Sequence, residues 1–277
     1  MPLPVELPRL VATDLDGTLL RRDGTISART QRALKRAREA GIELVMVTGR
    51  PARHVAKIDG VAAFGGAVIC VNGALIYDLD REQIVREERL PALVARDLVQ
   101  SLRARLPGIS FAVEVGLEYG WEPSYALHRK RTEAPGLPIV DALALCERGV
   151  NKLIARHPQF SVEALIESSR DLFLECARVS YSGAPFLEIS AAEVSKASAL
   201  AAYCAERSID QRRVLSFGDM PNDLPMLQWA GHSVAMANAH PSVLAAAHEV
   251  TLSNEEDGVA AVVERLLSGH PRGGQGL

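Results

Sequence analysis

Short apolar runs and longer amphipathic stretches alternate along the first part of the chain. The apolar run within residues 9–13 is typical of a strand buried in a parallel sheet. A helix is predicted over residues 27–40, with Ser27 as its N-cap and Gly41 as its stop. Ile42–Val47 is a second apolar strand. This alternation predicts an α/β fold with a doubly wound parallel sheet.

The pattern changes near residue 81, where predicted strands begin to follow one another directly. We therefore predict an inserted α+β domain over 81–185, with a return hinge at Ser182–Pro185. Its stretch Tyr119–Pro138 is rich in proline and aromatic residues and is predicted to be irregular. The first pattern resumes afterwards, so residues 1–80 and 186–277 are predicted to form the parallel-sheet domain. Residues from about 269 to 277 are predicted to be a disordered tail.

Composition narrows the classes of partner and compartment. The chain has 31 Lys and Arg against 34 Asp and Glu, and this balance gives no support for binding nucleic acid. No apolar run is long enough to cross a bilayer, and the first residues do not resemble a signal peptide. The four cysteines are scattered, which favours free thiols in a reducing cytoplasm over a disulfide framework.

Two carboxylates follow the first predicted strand. Asp14 and Asp16 lie where open α/β sheets bind their ligands, and alternate residues of an extended segment point the same way. Two carboxylates at such a short separation repel each other, so we expect one to hold a proton or a cation to lie between them. Such a pair with a metal can transfer a phosphoryl group through an aspartyl-phosphate.

Other polar groups are predicted at the same edge of the sheet. The second strand is followed by Thr48 and Gly49, and a later strand by the segment Gly218–Asp223. Asp14 and Asp219 with a backbone carbonyl would suit Mg²⁺. Thr48 and nearby N–H groups, with the cation Lys196, would hold a phosphate dianion.

In this order, the four motifs resemble those of the haloacid dehalogenase superfamily of phosphohydrolases. They are Asp14-Leu15-Asp16-Gly17-Thr18, Thr48-Gly49-Arg50, Lys196 and Gly218-Asp219-Met220-Pro221-Asn222-Asp223. The insertion after the second motif, the pair Asn72-Gly73 and the segment Asn254–Val259 look like the Cof-type branch. The resemblance covers nearly the whole chain and implies a Rossmann-like core carrying a large α/β cap.

The resemblance also implies roles for the motif residues. Asp14 would be the nucleophile and a Mg²⁺ ligand, and Asp16 the general acid and base, with its backbone carbonyl on the metal. Asp219 would be a further Mg²⁺ ligand. Asp223 would not bind the metal directly but would lie next to the residues that do. Phosphate would be held by Thr48, Gly49, Lys196 and Asn222.

Recognition of the leaving group is expected in the cap, because every phosphate ester shares the transferred group. By resemblance, Asn72 lies at the cap-facing edge, where it could contact a substrate hydroxyl. Glu118, Trp121 and Tyr125 lie in the polar and aromatic part of the inserted segment. They are candidate substrate contacts, although aromatic residues there could instead pack the cap.

The expected function is a Mg²⁺-dependent, cytoplasmic phosphatase that hydrolyses small phosphorylated metabolites, sugar phosphates first. A phosphotransferase or phosphomutase would share the first half-reaction and pass the phosphoryl group to another acceptor. A phospho-accepting signalling domain also combines aspartates, Thr and Lys around Mg²⁺. Asp16 beside the nucleophile, the chain length and the predicted cap argue against the signalling domain.

Overall fold

A computed structural model of the chain describes residues 6–61, 64–126, 136–173 and 175–269. The chain divides into two compact units, which we call the first and second units. The first unit consists of Met1–Gly73, Tyr77–Gln83 and Lys196–Leu277. The second consists of Ala74–Ile76 and Ile84–Ser195.

The strands and helices of the described residues alternate along much of the chain. The strands are β1 (Leu10–Thr13), β2 (Glu43–Val47), β3 (Ala67–Cys70), β4 (Leu75–Asp78), β5 (Gln83–Glu87), β6 (Ser110–Val115), β7 (Glu118–Trp121), β8 (Lys152–Arg156), β9 (Ala177–Ser180), β10 (Leu187–Ala191), β11 (Val214–Gly218), β12 (His232–Ala235) and β13 (Glu249–Val250). The helices are α1 (Ala28–Glu39), α2 (Ala52–Val55), α3 (Ala92–Arg105), α4 (Pro123–Ala126), α5 (Ala142–Leu145), α6 (Val162–Phe173), α7 (Lys196–Glu206), α8 (Leu224–Trp229), α9 (Pro241–Ala246) and α10 (Gly258–Gly269).

The larger sheet has the strand order β13-β12-β11-β1-β2-β3-β4-β5. Its central strand β1 runs parallel to both neighbours, with Leu10 opposite Val214 of β11 and Glu43 of β2. All residues of β1 and β11 are buried, as their continuous apolar sequences predict. The predicted α/β class with a parallel-sheet core is therefore confirmed. Because β1, β2 and β11 are adjacent and parallel, their carboxyl ends lie side by side.

Helix α1 shows why the predicted boundaries in this unit are accurate. The Ser27 hydroxyl accepts a hydrogen bond from the backbone N–H of Thr30 at 3.0 Å, which caps the helix. Gly41 follows the helix with a φ of +82°, a conformation that favours glycine. The next strand therefore begins close to its predicted position.

The second unit contains an antiparallel sheet with the order β7-β6-β8-β10-β9. Apolar side chains of these strands form one buried cluster with side chains of α3, α5 and α6. Two predictions differ from this structure. Glu118–Trp121 is a strand paired with β6 rather than part of an irregular stretch. The second unit ends at Ser195 rather than 185, because β10 pairs with β8 and β9.

Other predictions concern the tail, the thiols and membrane crossing. Residues 270–277 lie outside the described residues, and Gly269 is the last residue of α10. The four cysteines are free thiols, of which Cys176 alone is exposed. Within the described part of the chain, none of the helices has the length and apolar character needed to cross a membrane.

A buried ion pair joins two strands of the second unit. The Lys152 ammonium on β8 contacts the Glu188 carboxylate on β10, and both side chains are buried. Glu114 of β6, also buried, lies opposite Lys152 in the strand register. The ammonium therefore neutralises charge in a part of the sheet that carries two buried glutamates.

We expect Lys152→Met to lower the free energy of unfolding of the second unit by about 3–5 kcal/mol, because it removes the cation from a buried pair. Arg170→Met is the matched control, since it breaks the exposed pair with Glu167 and should cost about 1 kcal/mol or less. Urea unfolding followed by Trp121 fluorescence, in a Trp229→Phe background, measures both. Equal losses in the two variants would contradict the prediction.

Candidate active site

Asp14 lies directly beyond the carboxyl end of the central strand. Its backbone N–H donates to the Phe217 carbonyl of β11 at 3.1 Å, so the pairing of β1 with β11 extends to this residue. Its side chain is buried. Gly17 follows with a φ of +78°, and a Cβ on it would lie 2.3 Å from Asp219 Oδ2. Only glycine fits here, so the two acidic loops can approach closely.

Lys196 bridges two of these acidic side chains. Its Nζ donates to Asp14 Oδ1 at 2.5 Å and to Asp223 Oδ1 at 2.6 Å. Lys196 is the first residue of α7, and its side chain is completely buried. An ammonium has three N–H donors, so two hydrogen bonds leave one donor for a further acceptor.

Asp223 organises the loop that follows β11. Its Oδ2 accepts hydrogen bonds from the backbone N–H groups of Asp219 and Met220, both at 3.0 Å. Asp219 Oδ1 accepts a hydrogen bond from the Thr18 hydroxyl at 2.7 Å. A Cβ on Gly218 would lie 2.6 Å from that of Asp223, so this loop also packs against its strand end.

The charges of this cluster do not balance. Burial raises the pKa of Asp14 well above its ordinary value, although Lys196 acts in the opposite direction. Burial, followed by the charge of Asp223, raises the pKa of Asp219 to about 7. Burial alone would lower the pKa of Lys196, but the two carboxylates raise it above its usual range. Three carboxylates thus share one lysine and lack positive charge.

A divalent cation fits this deficit. The carboxylates of Asp14, Asp219 and Asp223 offer oxygens that all lie within 4.8 Å of one another. Both oxygens of Asp223 already accept hydrogen bonds, from Lys196 and from the loop backbone. Asp14 and Asp219 are therefore the carboxylates best placed to bind a metal. Hard oxygen donors of this kind suit Mg²⁺.

Asp16 has a different partner from Asp14. Its two carboxylate oxygens accept hydrogen bonds from Nε and Nη2 of Arg50 at 2.6 and 2.5 Å, and its side chain is 54% exposed. The hydrogen bond that Arg50 donates to Asp16 is the main cause that raises the pKa of Arg50. Because β1 ends at Thr13, strand alternation does not extend to Asp16. That one of the two carboxyls holds a proton, or that a cation lies between them, stays a prediction.

Arg50 had no predicted role, although it lies in the second motif. The signal was its position, since it directly follows Thr48-Gly49 at the same edge of the sheet as Asp16.

Asn238 was missed altogether. Its Nδ2 donates to the Gly17 carbonyl at 2.8 Å, and its Oδ1 accepts from the backbone N–H of Asn254 at 3.0 Å. These contacts fix the loop that carries Asp14 and Asp16.

The second motif lies beside this cluster. Thr48 is buried, and its Oγ1 accepts a hydrogen bond from the Arg50 backbone N–H at 3.1 Å. Asn222 Nδ2 donates to Asn72 Oδ1 at 3.1 Å, so the loop after β11 also contacts the turn after β3. Gly49 packs against Asn72, since a Cβ on Gly49 would lie 3.0 Å from Asn72 Oδ1. The motif residues predicted for the site are thus linked by contacts within the first unit.

The remaining candidates belong to the second unit. Glu118 is an exposed residue at the start of β7. Trp121 and Tyr125 are buried and pack in a small cluster with Ala112 and Ile154. Packing of this kind is the alternative that the sequence left open for the aromatic residues. A role of these three side chains in substrate binding stays a prediction.

Comparisons with known proteins agree with this geometry. Pyridoxal phosphate phosphatase YbhA of Escherichia coli is 29% identical, covering 92% of this chain and 97% of that protein. The 5-amino-6-(5-phospho-D-ribitylamino)uracil phosphatase YitU of Bacillus subtilis is 27% identical, covering 94% and 98%. BT1666 of Bacteroides thetaiotaomicron, a phosphatase of the haloalkanoate enzyme superfamily, matches with a TM-score of 0.81 and 26% identity over 96% of this chain and 97% of that one.

The family model of the haloacid dehalogenase-like hydrolases matches residues 11–263, which is most of the chain. That range contains all four motifs. The resemblance that the motifs carried is therefore confirmed, and this chain belongs to the haloacid dehalogenase-like hydrolases.

Proposed function

We propose that this protein is a Mg²⁺-dependent phosphatase that hydrolyses small phosphorylated metabolites through an aspartyl-phosphate on Asp14. One observation carries the proposal. Asp14 is buried at the end of the central strand, and Lys196 binds both it and a second buried carboxylate, Asp223. This arrangement fixes the Asp14 side chain and leaves Oδ2 available for attack on phosphorus. The relatives support the substrate class, since they are named for phosphate esters of small metabolites.

In the first half-reaction, Asp14 Oδ2 attacks the phosphorus of the ester. A new O–P bond forms on Asp14, the ester O–P bond breaks, and the leaving oxygen takes a proton from the Asp16 carboxyl. In the second half-reaction, water attacks the aspartyl-phosphate while Asp16 takes its proton. Inorganic phosphate leaves, and both aspartates return to their initial states.

Other residues of the first unit would hold the phosphoryl group. Lys196 has an N–H donor beyond the two it gives to Asp14 and Asp223, and Thr48 and Gly49 lie at the neighbouring strand end. Asn222 would add an amide donor. Asp223 would keep Lys196 and the Asp219 loop in place. These donors suit a dianion, and in the transition state they would meet the charge that spreads over the equatorial oxygens.

Mg²⁺ would be held by Asp14, Asp219 and the backbone carbonyl of Asp16. When bound, it would neutralise the carboxylates and polarise the phosphoryl oxygens. Without such a charge, a phosphate dianion would meet Asp14, Asp219 and Asp223 with only Lys196 to offset them. Burial, together with the charges of the neighbouring carboxylates, raises the pKa of Asp14 and of Asp219, and a bound cation would oppose both effects.

The alternative is transfer of the phosphoryl group to an acceptor other than water. The first half-reaction would be the same, so the residues of the first unit do not separate the two. Phosphate release without added acceptor favours the phosphatase. A long-lived aspartyl-phosphate would instead favour a signalling domain.

We expect Asp14→Asn to reduce phosphate release by several powers of ten, because the amide cannot serve as the nucleophile. Asp59→Asn, at an exposed aspartate of the first unit, is the matched control and should retain parental activity. The assay is phosphate release from a panel of sugar phosphates, pyridoxal phosphate and p-nitrophenyl phosphate. Activity of Asp14→Asn within tenfold of the parent would contradict the assignment.

Removal of metal should abolish phosphate release, and added Mg²⁺ should restore it, because the acidic cluster needs a compensating cation. Asp219→Asn should require a higher Mg²⁺ concentration for half-maximal activity, since it replaces a charged ligand with a neutral one. Elemental analysis after treatment with EDTA establishes that the metal has been removed. Undiminished turnover by metal-free protein would refute metal dependence.

Specificity should depend on the inserted segment 81–185, which we propose as the cap and most of which lies in the second unit. Loss of a contact to the leaving group should change the ratio of kcat/KM between two substrates by about 10- to 200-fold, which corresponds to about 1–3 kcal/mol. Glu118→Ala tests the exposed candidate, whereas Trp121→Phe and Tyr125→Phe test the buried ones with little loss of packing. If each variant lowers kcat/KM for p-nitrophenyl phosphate and for every metabolite by one common factor, these residues do not determine specificity.

A further inference from the structure

The turn between β3 and β4 has an unusual backbone. Val71, Asn72 and Gly73 have φ values of 53°, 56° and 106°, so three consecutive residues have positive φ. Asparagine tolerates the left-handed region, but a β-branched residue such as valine rarely adopts it. The surrounding structure must therefore hold this turn in place. We call Val71–Gly73 the left-handed turn.

The N–H groups of the left-handed turn bind the loop that carries the second motif. The backbone N–H of Val71 donates to the Arg50 carbonyl at 3.0 Å, and that of Asn72 donates to the Thr48 carbonyl at 3.0 Å. These two bonds fix the carbonyls on both sides of Gly49. Since a peptide group is planar, fixing the Thr48 carbonyl also fixes the direction of the Gly49 N–H. The bond to the Arg50 carbonyl holds the other end of the loop, where Pro51 follows and has no N–H. The turn thereby sets the direction of the Gly49 N–H in the proposed phosphate loop.

The side chain of Asn72 continues this contact to a third segment. Its Oδ1 accepts the hydrogen bond from Asn222 Nδ2 at 3.1 Å and lies against Gly49. Asn222 directly precedes Asp223, which binds Lys196 and the loop backbone. One buried amide thus touches both the phosphate loop and the loop that follows β11.

We propose that Asn72 is a positioning residue that aligns the Thr48-Gly49-Arg50 loop with Asn222 for binding of the phosphoryl group. The inference rests on the proposed function, because it concerns the same site. It differs from the expectation that Asn72 contacts a hydroxyl of the substrate. A positioning residue affects every phosphate ester and inorganic phosphate alike, whereas a contact to the leaving group affects some esters and leaves inorganic phosphate unchanged.

The test uses Asn72→Gly, which deletes the amide but tolerates the left-handed backbone. Asn222→Ala and the double variant complete a cycle. Ser208→Gly is the control, because Ser208 is an exposed residue with a φ of 52° in the turn after α7, and it should leave phosphate binding unchanged. The readouts are the dissociation constant of inorganic phosphate by calorimetry with Mg²⁺ present, kcat and KM for several esters, and the midpoint of thermal unfolding.

We expect Asn72→Gly to weaken the binding of inorganic phosphate by about tenfold, which is the order of effect of losing one hydrogen bond. It should lower kcat/KM of every ester by a similar factor. The double variant should lose less than the sum of the two single effects, since the two residues share one hydrogen bond. Unchanged phosphate affinity would overturn the proposal. With a lower thermal midpoint it would indicate a structural role alone, and with changed ratios between esters it would indicate a contact to the leaving group. Phosphate binding is measured without turnover, so a parent that binds phosphate but hydrolyses no ester contradicts the proposed function and still tests this inference.

Discussion

The buried ion cluster around Lys196 is the interaction on which the site depends. A buried lysine without a carboxylate partner would strongly destabilise the folded state, and so would either buried aspartate without the lysine. The bonds from Lys196 to Asp14 and Asp223 therefore connect the end of β1, the start of α7 and the loop after β11. Removing any member leaves a buried charge, so the fold and the site share one set of constraints.

Close backbone packing makes this cluster possible. Gly17 and Gly218 both face aspartates of the loop after β11 at distances that exclude a Cβ. Hydrogen bonds from Asn238 to the Gly17 carbonyl and from the loop backbone to Asp223 also hold these loops. The carboxylates are consequently close before any ligand arrives. Such preorganisation avoids the cost of gathering like charges at the moment of binding.

The sequence predicted what depends on local pattern and on ordered motifs. Strands β1, β2 and β11 were identified because a buried parallel strand is a short apolar run. The boundary at 185 was wrong because a turn between two strands of one sheet has the same Ser, Gly and Pro signals as a hinge between domains. The pairing of Arg50 with Asp16 depends on two strand ends that are distant in sequence, and no local pattern reveals it.

Asp14 and Asp16 have separate partners, because Lys196 binds the first and Arg50 binds the second. Asp14 is buried beside a fixed ammonium, so it keeps a defined orientation. Asp16 is half exposed, so water can reach its carboxylate, which Arg50 binds in a bidentate manner. A nucleophile needs a fixed direction of attack, whereas an acid and base needs access to protons. In the proposed reaction the two aspartates would meet both needs, because backbone pairing with β11 holds Asp14 at the end of β1 and Asp16 lies beyond it.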